Sequence, residues 1–570
     1  MKGYTQDQRK LHWWISRTEL TLGLIILCLL VKLYYPIPLY INQTKEDEHI
    51  FTCHAPQPSL LNHHDIDRSA FDSDIKWIQS TIEEAVKKRK SSGDGQDIDS
   101  IAISIFLPSG PPIYETGFGK VKANESESSV PDGDSIYRMA SISKMFTTAQ
   151  LMLQKQRKEV DLDQDVSSIL DDFHPSTKGW TGPVEKNVIT IRQLLSHTSG
   201  LSRDVGADVP WPGSMNDVKI ELPDDPPTRA EIMAKIRDTP PVMPGYTTPI
   251  YSNIAFDVAG YVAEEIAKTK FVDLLEQDIF KPLKMSSASF KRQHDKLDRV
   301  VVPSEPSSIW ADVELGDENP AGGLYCSAAD LRRFGQELLG PGIDSHTRSG
   351  ATGSLFNKIS TREWLRPVHV FDDGILSIGL NWEIFTVPVG KRRMSLYTKS
   401  GTLPGFHTLF GVDPEREFGF ALLISGETSI NWELGIRIMT RFAETLDRQR
   451  QEILSEEFVG TYTKDASNVI KLELIDGGLA MVEAIIDGED VIKNLHLGEG
   501  EGNYVVLWPT GEASAWRLAI GRPPALPYVG CMFKFASIDG ATSKGFPIDL
   551  LVLQHGTLFY GALNQTFTRQ

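Results

Sequence analysis

The sequence predicts an α+β domain followed by a smaller all-β domain. Up to about residue 450, strand patterns at both ends of the segment enclose a section with helical, three-to-four-residue apolar spacing. After residue 451 the patterns are short, turn-bounded and β-like, which is typical of a sandwich or a barrel. An apolar run near the N-terminus precedes both domains.

The elements of the first domain follow from these patterns in chain order. A helix from about Asp72 to Lys90 is followed by strands at Ile101–Leu107 and Pro112–Gly119. The middle section is predicted to hold helices at Tyr137–Lys155, Ile191–Ser196, Tyr251–Lys268 and Ala328–Leu339. Four strands and a closing helix are predicted at Leu376–Phe385, Arg393–Ser400, His407–Val412, Phe418–Ser425 and Glu433–Thr445. Strands from both ends of the segment should therefore share one sheet.

The second domain is predicted to contain only strands. Its β patterns are Val459–Thr463, Val469–Ile475, Ala480–Ile486, Asn503–Trp508, Ser514–Ile520, Ile548–Gln554 and Thr557–Gly561. The expected organisation is a cytoplasmic N-terminus (1–19), a signal anchor (20–41), a stalk (42–75), a catalytic domain (76–450) and a C-terminal β domain (456–570).

The N-terminal apolar segment predicts a single-pass membrane protein. Leu20–Ile41 spans 22 residues, enough to cross a bilayer, and the basic residues before it should stay in the cytoplasm. Lys32 would lie near one end of the span. A cleaved signal peptide, giving a secreted protein, is the alternative, but no Ala-x-Ala-like cleavage site follows Val31. Either reading puts the bulk of the chain in the lumen or outside the cell.

Sequons and cysteines are compatible with that compartment. Glycosylation triplets begin at Asn42, Asn124 and Asn564. Of the four cysteines, Cys28 lies in the apolar run, and Cys53, Cys326 and Cys531 allow one disulfide and one free thiol without fixing the pairing.

Composition and motif searches exclude several function classes. The net charge of −18 argues against a nucleic-acid partner, because binding phosphates requires clustered Lys and Arg. No Cys or His cluster has the spacing of a metal site, and no phosphate-binding loop is present, so neither a metal nor a cofactor is expected. The absence of a G-x-S-x-G elbow disfavours an α/β-hydrolase.

The strongest chemical signal is the pair Ser141 and Lys144. They are three residues apart on a predicted helix, so their side chains share a face. A serine hydroxyl needs a base to become a nucleophile, and a lysine whose pKa is lowered by burial or by a nearby cation can serve. The S-x-x-K pattern alone is common by chance and needs support from its context.

Two further triplets supply that context. Tyr251-Ser252-Asn253 places a phenol and an amide at the mouth of a predicted helix. Lys399-Ser400-Gly401 ends a predicted strand, on which Lys399 and Gly401 face the same way and the glycine would let a substrate backbone approach. The three motifs in this order and at these separations are a specific combination.

With these motifs the chain resembles the family of class C β-lactamases and D-alanyl-D-alanine carboxypeptidase/esterases. The segments Ile189–Leu201 and Asn319–Leu338 also resemble blocks of that family, and the resemblance covers about residues 76–447. With an anchor and an added β domain, the chain is similar to fungal-type β-lactamase-like proteins. The resemblance implies the serine β-lactamase/penicillin-binding-protein fold, an antiparallel sheet with a helical region.

The resemblance also implies a role for each motif residue. Ser141 would attack the substrate carbonyl and become acylated, while Lys144 and Tyr251 share the general-base work, with the proton acceptor left open between them. Asn253 would hold the substrate or Lys144, and the N–H groups of Ser141 and Thr402 would form the oxyanion hole. Lys399, Ser400 and Gly401 would line the substrate site, where Ser400 replaces the commoner threonine and keeps a hydroxyl.

Three functions fit these residues. The first is a serine hydrolase that cleaves an ester, amide or peptide bond of a small-molecule or peptide substrate through an acyl-enzyme. The second is an acyltransferase of the same fold, as relatives are in natural-product biosynthesis, in which an alcohol or amine replaces water. The third is a non-enzymatic scaffold, which the intact motifs disfavour.

Overall fold

The computed structural model describes residues 54–56, 58, 66–88, 98–179, 182–183, 188–205, 226–340, 354–495, 504–512, 514–519 and 541–570. All of them belong to one compact unit, formed by His54–Pro523 and Cys531–Gln570. The predicted N-terminus (1–19) and signal anchor (20–41) lie outside the described residues, as does the sequon at Asn42. None of the helices in the described ranges is both long and apolar enough to cross a membrane.

The first domain contains ten α-helices and twelve strands within the described ranges, besides short 3₁₀ turns and one π-helical turn. The helices are α1 (Asp72–Lys88), α2 (Ser143–Gln156), α3 (Ile191–Leu195), α4 (Arg229–Asp238), α5 (Asn253–Ala267), α6 (Phe271–Leu275), α7 (Asn319–Gly322), α8 (Ala328–Leu339), α9 (Lys358–Trp364) and α10 (Asn431–Phe458). The strands are β1 (Ile98–Phe106), β2 (Tyr114–Gly119), β3 (Ile136–Arg138), β4 (Lys178–Gly179), β5 (Gly182–Pro183), β6 (Tyr325–Ser327), β7 (Pro367–Val370), β8 (Leu376–Gly379), β9 (Glu383–Val389), β10 (Arg392–Leu403), β11 (Phe406–Asp413) and β12 (Phe418–Gly426).

Eight of these strands form one antiparallel sheet in the order β2-β1-β12-β11-β10-β9-β8-β7. The pairing of β1 with β12 joins the two ends of the domain, as the sequence predicted. One face of the sheet packs on α1 and α10 through residues such as Ile78, Ile103 and Phe442. The other face packs on the helical region, where Ala102 and Phe410 meet α2 and α8. The central strands are therefore buried on both faces, which makes the domain a three-layer α+β structure.

The second domain closes into a barrel. Its strands are β13 (Gly460–Asp465), β14 (Asn468–Ile475), β15 (Gly478–Ile486), β16 (Glu489–Asp490), β17 (Val505–Pro509), β18 (Ala515–Ala519), β19 (Thr542–Ser543), β20 (Phe546–Pro547), β21 (Leu550–Gln554), β22 (Thr557–Tyr560) and β23 (Gln565–Arg569), with a short helix α11 (Val491–Leu495). Eight strands follow the order β14-β13-β23-β22-β21-β18-β17-β15, and β15 pairs again with β14. Closure removes the exposed edges that an open sheet would carry.

Helix α10 belongs to both domains. Its first half covers the sheet, while Leu454 and Phe458 at its end are part of the barrel core, where the Phe458 ring packs against Trp516 with the ring centroids 5.7 Å apart. Its middle is held by a buried ion pair, in which the Arg416 guanidinium donates to both oxygens of Asp447 at 2.9 Å. The predicted closing helix, Glu433–Thr445, thus covers the first half of a 28-residue helix.

Two predicted elements were wrong in their bounds. The expected helix Tyr137–Lys155 starts only at Ser143, because Ile136–Arg138 is extended and pairs with β6. Extension lets the Arg138 guanidinium reach the carbonyls of Trp310 and Val313. The expected strand Leu376–Phe385 is two strands, since Asn381 takes a φ of 64° and turns the chain between β8 and β9. The last strand, β23, was not predicted.

Two sequons and one cysteine lie in the described part of the chain. Asn124 and Asn564 are exposed, so both amides are open to modification, and their glycosylation stays a prediction. Cys326 is a buried free thiol whose pKa burial raises well above the ordinary value of 9.0. Cys28, Cys53 and Cys531 lie outside the described residues, so the predicted disulfide is not tested.

Candidate active site

Ser141 lies in a 3₁₀ turn, Ala140–Ile142, between β3 and α2. Ala140 has a φ of 48°, in the left-handed region, and this turns the chain just before Ser141. Ser143 fixes the turn from both sides: its hydroxyl donates to the Ala140 carbonyl at 2.6 Å and accepts the Leu324 N–H at 3.0 Å. The hydroxyl of Ser141 is therefore presented beside the first turn of α2, where free N–H groups favour negative charge.

Lys144 is fully buried, and its amine has three oxygen neighbours. Lys144 Nζ lies 3.1 Å from Ser141 Oγ, 2.6 Å from Asn253 Oδ1 and 2.6 Å from the Ala321 carbonyl oxygen. The last two oxygens can only accept, so each takes one proton of the amine. Ser141 Oγ can also donate, so a neutral Lys144 directs its lone pair at the serine hydroxyl.

The pKa of Lys144 is lowered in this environment from its ordinary value of 10.5. Burial is the largest cause, because it disfavours the charged amine, and the positive charge of Lys399 acts in the same direction. Tyr251 opposes the shift through its charge without cancelling it. The amine is thus more readily neutral than an exposed lysine.

Asn253 is held in one orientation by Asp204, which the sequence analysis missed. Asn253 Nδ2 donates to Asp204 Oδ1 at 2.6 Å, which leaves the amide oxygen facing Lys144. Ser252 caps the start of α5 by accepting the Ala255 N–H, and its hydroxyl donates to the Ser202 carbonyl at 2.7 Å. The segment around Asp204 is in this way fastened to the helix that supplies the amide.

The ring of Tyr251 is surrounded by cations. Its centroid lies 5.1 Å from Lys144 Nζ, 5.2 Å from Lys399 Nζ and 5.0 Å from the guanidinium carbon of Arg203. Tyr251 also interacts electrostatically with both lysines. The ring therefore adjoins both lysines of the site.

Burial and charge act in opposite directions on Tyr251. Burial alone would raise its pKa, but the charges of Lys144 and Lys399 outweigh burial and leave the pKa below the ordinary value of 10.0. His197 stacks on the Tyr251 ring with centroids 4.5 Å apart, and its Nδ1 accepts the Ser252 N–H at 3.1 Å. Burial, followed by the nearby cations, holds the pKa of His197 well below 6.5. His197 is thus a neutral structural partner of the Tyr251 ring.

Lys399 forms an ion pair with Glu383, a residue that no sequence motif indicated. Lys399 Nζ donates to Glu383 Oε1 at 2.7 Å and to the Ser400 carbonyl at 2.8 Å. Burial alone would lower the pKa of Lys399, but the charge of Glu383 and the contacts with Tyr251 raise it above 10.5. Lys399 is therefore a permanent cation beside the phenol, unlike Lys144.

The backbone after Lys399 lies along an open strand edge. β9 begins at Glu383, opposite Thr398, so the edge of β10 beyond Thr398 is not paired with β9. The Ser400 N–H points to this edge and donates to Glu383 Oε2 at 2.9 Å. Since alternate N–H groups of a strand point to the same side, the Thr402 N–H points to the same edge.

Gly401 permits close contact between β10 and the turn of Ser141. A Cβ at this position would lie 2.2 Å from the Met139 carbonyl oxygen and 3.1 Å from the Ser141 nitrogen. Close contact with the protein's own turn is therefore one reason for a glycine here, and the approach of a substrate backbone stays a prediction. The Ser141 N–H thus lies next to β10, one residue before Thr402 in the strand.

A buried acidic group lies behind Lys144. Asp257, one turn after Asn253 in α5, is fully buried. Burial, and then the charge of Glu318, raises the pKa of Asp257 well above its ordinary value of 3.8. Burial and Asp204 likewise raise the pKa of Glu318 to about 7. In the described ranges, no group of three or more His, Cys, Asp or Glu is arranged to hold a metal ion.

Several curated relatives and many solved structures are similar to this chain. It is 26% identical to the β-lactamase-like protein str6 of Strobilurus tenacellus over 50% of this chain and 94% of that protein. It is 23% identical to the probable hydrolase M10 of a Phoma species over 84% of each chain. The octameric penicillin-binding protein homologue of Pyrococcus abyssi matches 85% of this chain and 97% of its own, with a TM-score of 0.50 and 17% identity. A class C β-lactamase in complex with cefoxitin matches 66% of this chain and all of its own, with a TM-score of 0.51 and 16% identity.

These similarities agree with the architecture. The first domain has the serine β-lactamase/penicillin-binding-protein fold, to which the chain adds the C-terminal barrel. Residues 88–432, more than half of the chain, match the family model of the β-lactamases. The chain therefore belongs to the β-lactamase family.

Proposed function

We propose that this protein is a serine hydrolase that cleaves an ester or amide through an acyl-enzyme on Ser141. The proposal rests on the three oxygen atoms that surround Lys144 Nζ. Two of its neighbours, Asn253 Oδ1 and the Ala321 carbonyl, can only accept, and the third is the Ser141 hydroxyl at 3.1 Å. A buried amine held in this way is a base aimed at one proton.

In the acylation step, Ser141 Oγ forms a bond to the substrate carbonyl carbon while its proton passes to Lys144. The carbonyl oxygen becomes negative and is stabilised by the N–H groups of Ser141 and Thr402. The bond to the leaving group then breaks, and Lys144 returns the proton to that group, with the Tyr251 hydroxyl in the hydrogen-bond path. The positive charge of Lys399 stabilises any negative charge that develops on the Tyr251 oxygen during this proton transfer.

In the deacylation step, the same groups act on an incoming acceptor. Water loses a proton to Lys144, its oxygen bonds to the acyl carbon, and Ser141 leaves with the proton restored. An alcohol or amine in place of water would give an acyltransferase instead, so the acceptor defines the reaction class. A relative named a probable hydrolase supports water as the acceptor. Identifying the reaction product distinguishes the hydrolase from the acyltransferase.

The proposal is tested by identifying the products and the modified residue. We expect the protein to release para-nitrophenol from para-nitrophenyl acetate and butyrate. The free acid should form in the same amount with or without an added alcohol or amine. A fluorophosphonate probe should modify Ser141, which peptide mass spectrometry can locate. Acylated acceptor would favour the acyltransferase, and a protein that is neither active nor labelled would favour the scaffold.

The pH dependence of the reaction identifies the base. If Lys144 takes the proton, kcat/KM rises with pH along one limb whose midpoint lies below 10.5, because burial lowers the pKa of Lys144. Tyr251→Phe removes a partner that raises this pKa. The limb should therefore move to lower pH while the plateau falls by about a hundredfold. A limb that disappears in Tyr251→Phe would instead make Tyr251 the base. A limb that stays where it was would exclude Tyr251 as the base and would contradict its effect on the pKa of Lys144.

A further inference from the structure

We propose that Glu383 restricts the site to substrates that are neutral along the open edge of β10 and excludes substrates with a carboxylate there. The inference rests on the proposed acyl-enzyme function and specifies its substrate class. Glu383 is a specificity-determining residue in this account, since it acts on what can lie beside Ser400 and not on the reacting carbonyl.

Glu383 occupies the donors that a substrate carboxylate would need. Its Oε2 accepts the Ser400 N–H at 2.9 Å and the Ser400 hydroxyl at 3.0 Å. Its Oε1 accepts from Lys399 at 2.7 Å. One acidic side chain thus binds the backbone donor, the hydroxyl and the cation at the start of the open edge. A carboxylate prefers this combination of donors, and here the protein supplies its own.

The cations of the site also have partners within the protein. Lys399 Nζ donates to Glu383 and to the Ser400 carbonyl, and it lies 5.2 Å from the centroid of the Tyr251 ring. The guanidinium of Arg203 lies 3.3 Å from Asp204. Lys144 uses its protons on Asn253 and Ala321 and is the base of the reaction. The two buried cations, Lys144 and Lys399, thus direct protons at partners within the protein, and the more exposed Arg203 has Asp204 as its acidic neighbour.

Glu383 itself is close enough to solvent to act on a substrate. Its side chain is 19% exposed, whereas the side chain of Lys399 is 1% exposed. A ligand on this edge thus meets the carboxylate before the ammonium. Repulsion between the Glu383 carboxylate and a substrate carboxylate, with little water between them, strongly disfavours binding. A neutral ester is not repelled in this way.

The test compares matched neutral and anionic esters on the full chain. One pair carries the charge on the leaving group: para-methoxycarbonylphenyl and para-carboxyphenyl butyrate. The other carries it on the acyl group: para-nitrophenyl methyl adipate and para-nitrophenyl adipate, in which attack of the carboxylate on its own ester would need a strained seven-membered ring. Each kcat/KM is divided by the rate of alkaline hydrolysis of the same ester. We expect the wild type to prefer the neutral ester on the order of tenfold or more in at least one pair.

Two variants assign that preference to Glu383. Glu383→Gln should reduce the neutral-to-anionic ratio on the order of tenfold, whatever happens to the absolute rates. Glu383→Asp keeps the charge and should keep the preference. A wild type that cleaves both members of each pair equally well would overturn the inference and leave the hydrolase intact, even if neither variant folds. An unchanged ratio in Glu383→Gln would also overturn it. A wild type that cleaves no ester and is not labelled at Ser141 would refute the proposed function and this inference together.

Discussion

Replacing Ser141 by alanine should lower kcat/KM for para-nitrophenyl esters by about a thousandfold or more. The substitution removes the only atom that can form the acyl-enzyme, while the oxyanion donors and the substrate site remain. The side chain is small and its hydroxyl faces Lys144, so the surrounding core keeps its contacts. The melting temperature should therefore stay close to that of the wild type.

The measurement is initial rates over a range of ester concentrations, followed by mass spectrometry of the protein after a fluorophosphonate treatment. Ser80→Ala, an exposed serine on α1, is the matched control and should behave as wild type. Normal turnover in Ser141→Ala would refute the assignment of the nucleophile. Turnover that falls while labelling continues elsewhere would point to a different reactive residue.

Replacing Lys144 by alanine should lower kcat/KM by about a hundredfold to ten-thousandfold, the usual contribution of a general base. Ser141 remains in place but loses its proton acceptor. The residual rate should also lose the ascending pH limb assigned to Lys144. Reaction with the fluorophosphonate should become slow and still occur at Ser141, which separates loss of the base from loss of the nucleophile.

Lys144→Ala should also destabilise the fold, so stability must be measured with the rates. The substitution leaves Asn253 Oδ1 and the Ala321 carbonyl without their donor. Each buried acceptor left unpaired costs about 1–3 kcal/mol. Urea unfolding gives this loss directly, and Lys76→Ala, an exposed lysine on α1, is the control. A folded Lys144→Ala protein with wild-type kcat/KM would exclude Lys144 as the base.

The sequence predicted the centre of this site because the chemistry depends on a few residue types at fixed local spacings. Ser141 and Lys144 are three residues apart, and each of the other motifs is a contiguous triplet. Glu383 has no such local signature. It acts on Ser400 only because β9 lies beside β10 in the sheet, and the register of that pairing depends on distant parts of the chain. Asp204 was missed for the same reason, since it acts through a turn packed against α5.

The fold could be predicted from the sequence to about the same extent as the site. The buried strands and amphipathic helices have strong periodic patterns, and most were placed within a few residues. The extended start of Tyr137–Lys155 could not be recognised, because its stability comes from pairing with β6, about 190 residues away. The patterns of the second domain predicted strands but left a sandwich and a barrel open. Its closure depends on β14 pairing with both β13 and β15.

Helix α10 couples the unfolding of the two domains. Phe442 and Leu446 are buried against the sheet, while Leu454 and Phe458 of the same helix are buried in the barrel. Melting the barrel would expose the end of the helix to water, and the loss of helical turns would spread towards the Arg416–Asp447 pair. The free energy that stabilises the barrel thus also stabilises the sheet that carries Lys399, so the distant β domain contributes to keeping the active site folded.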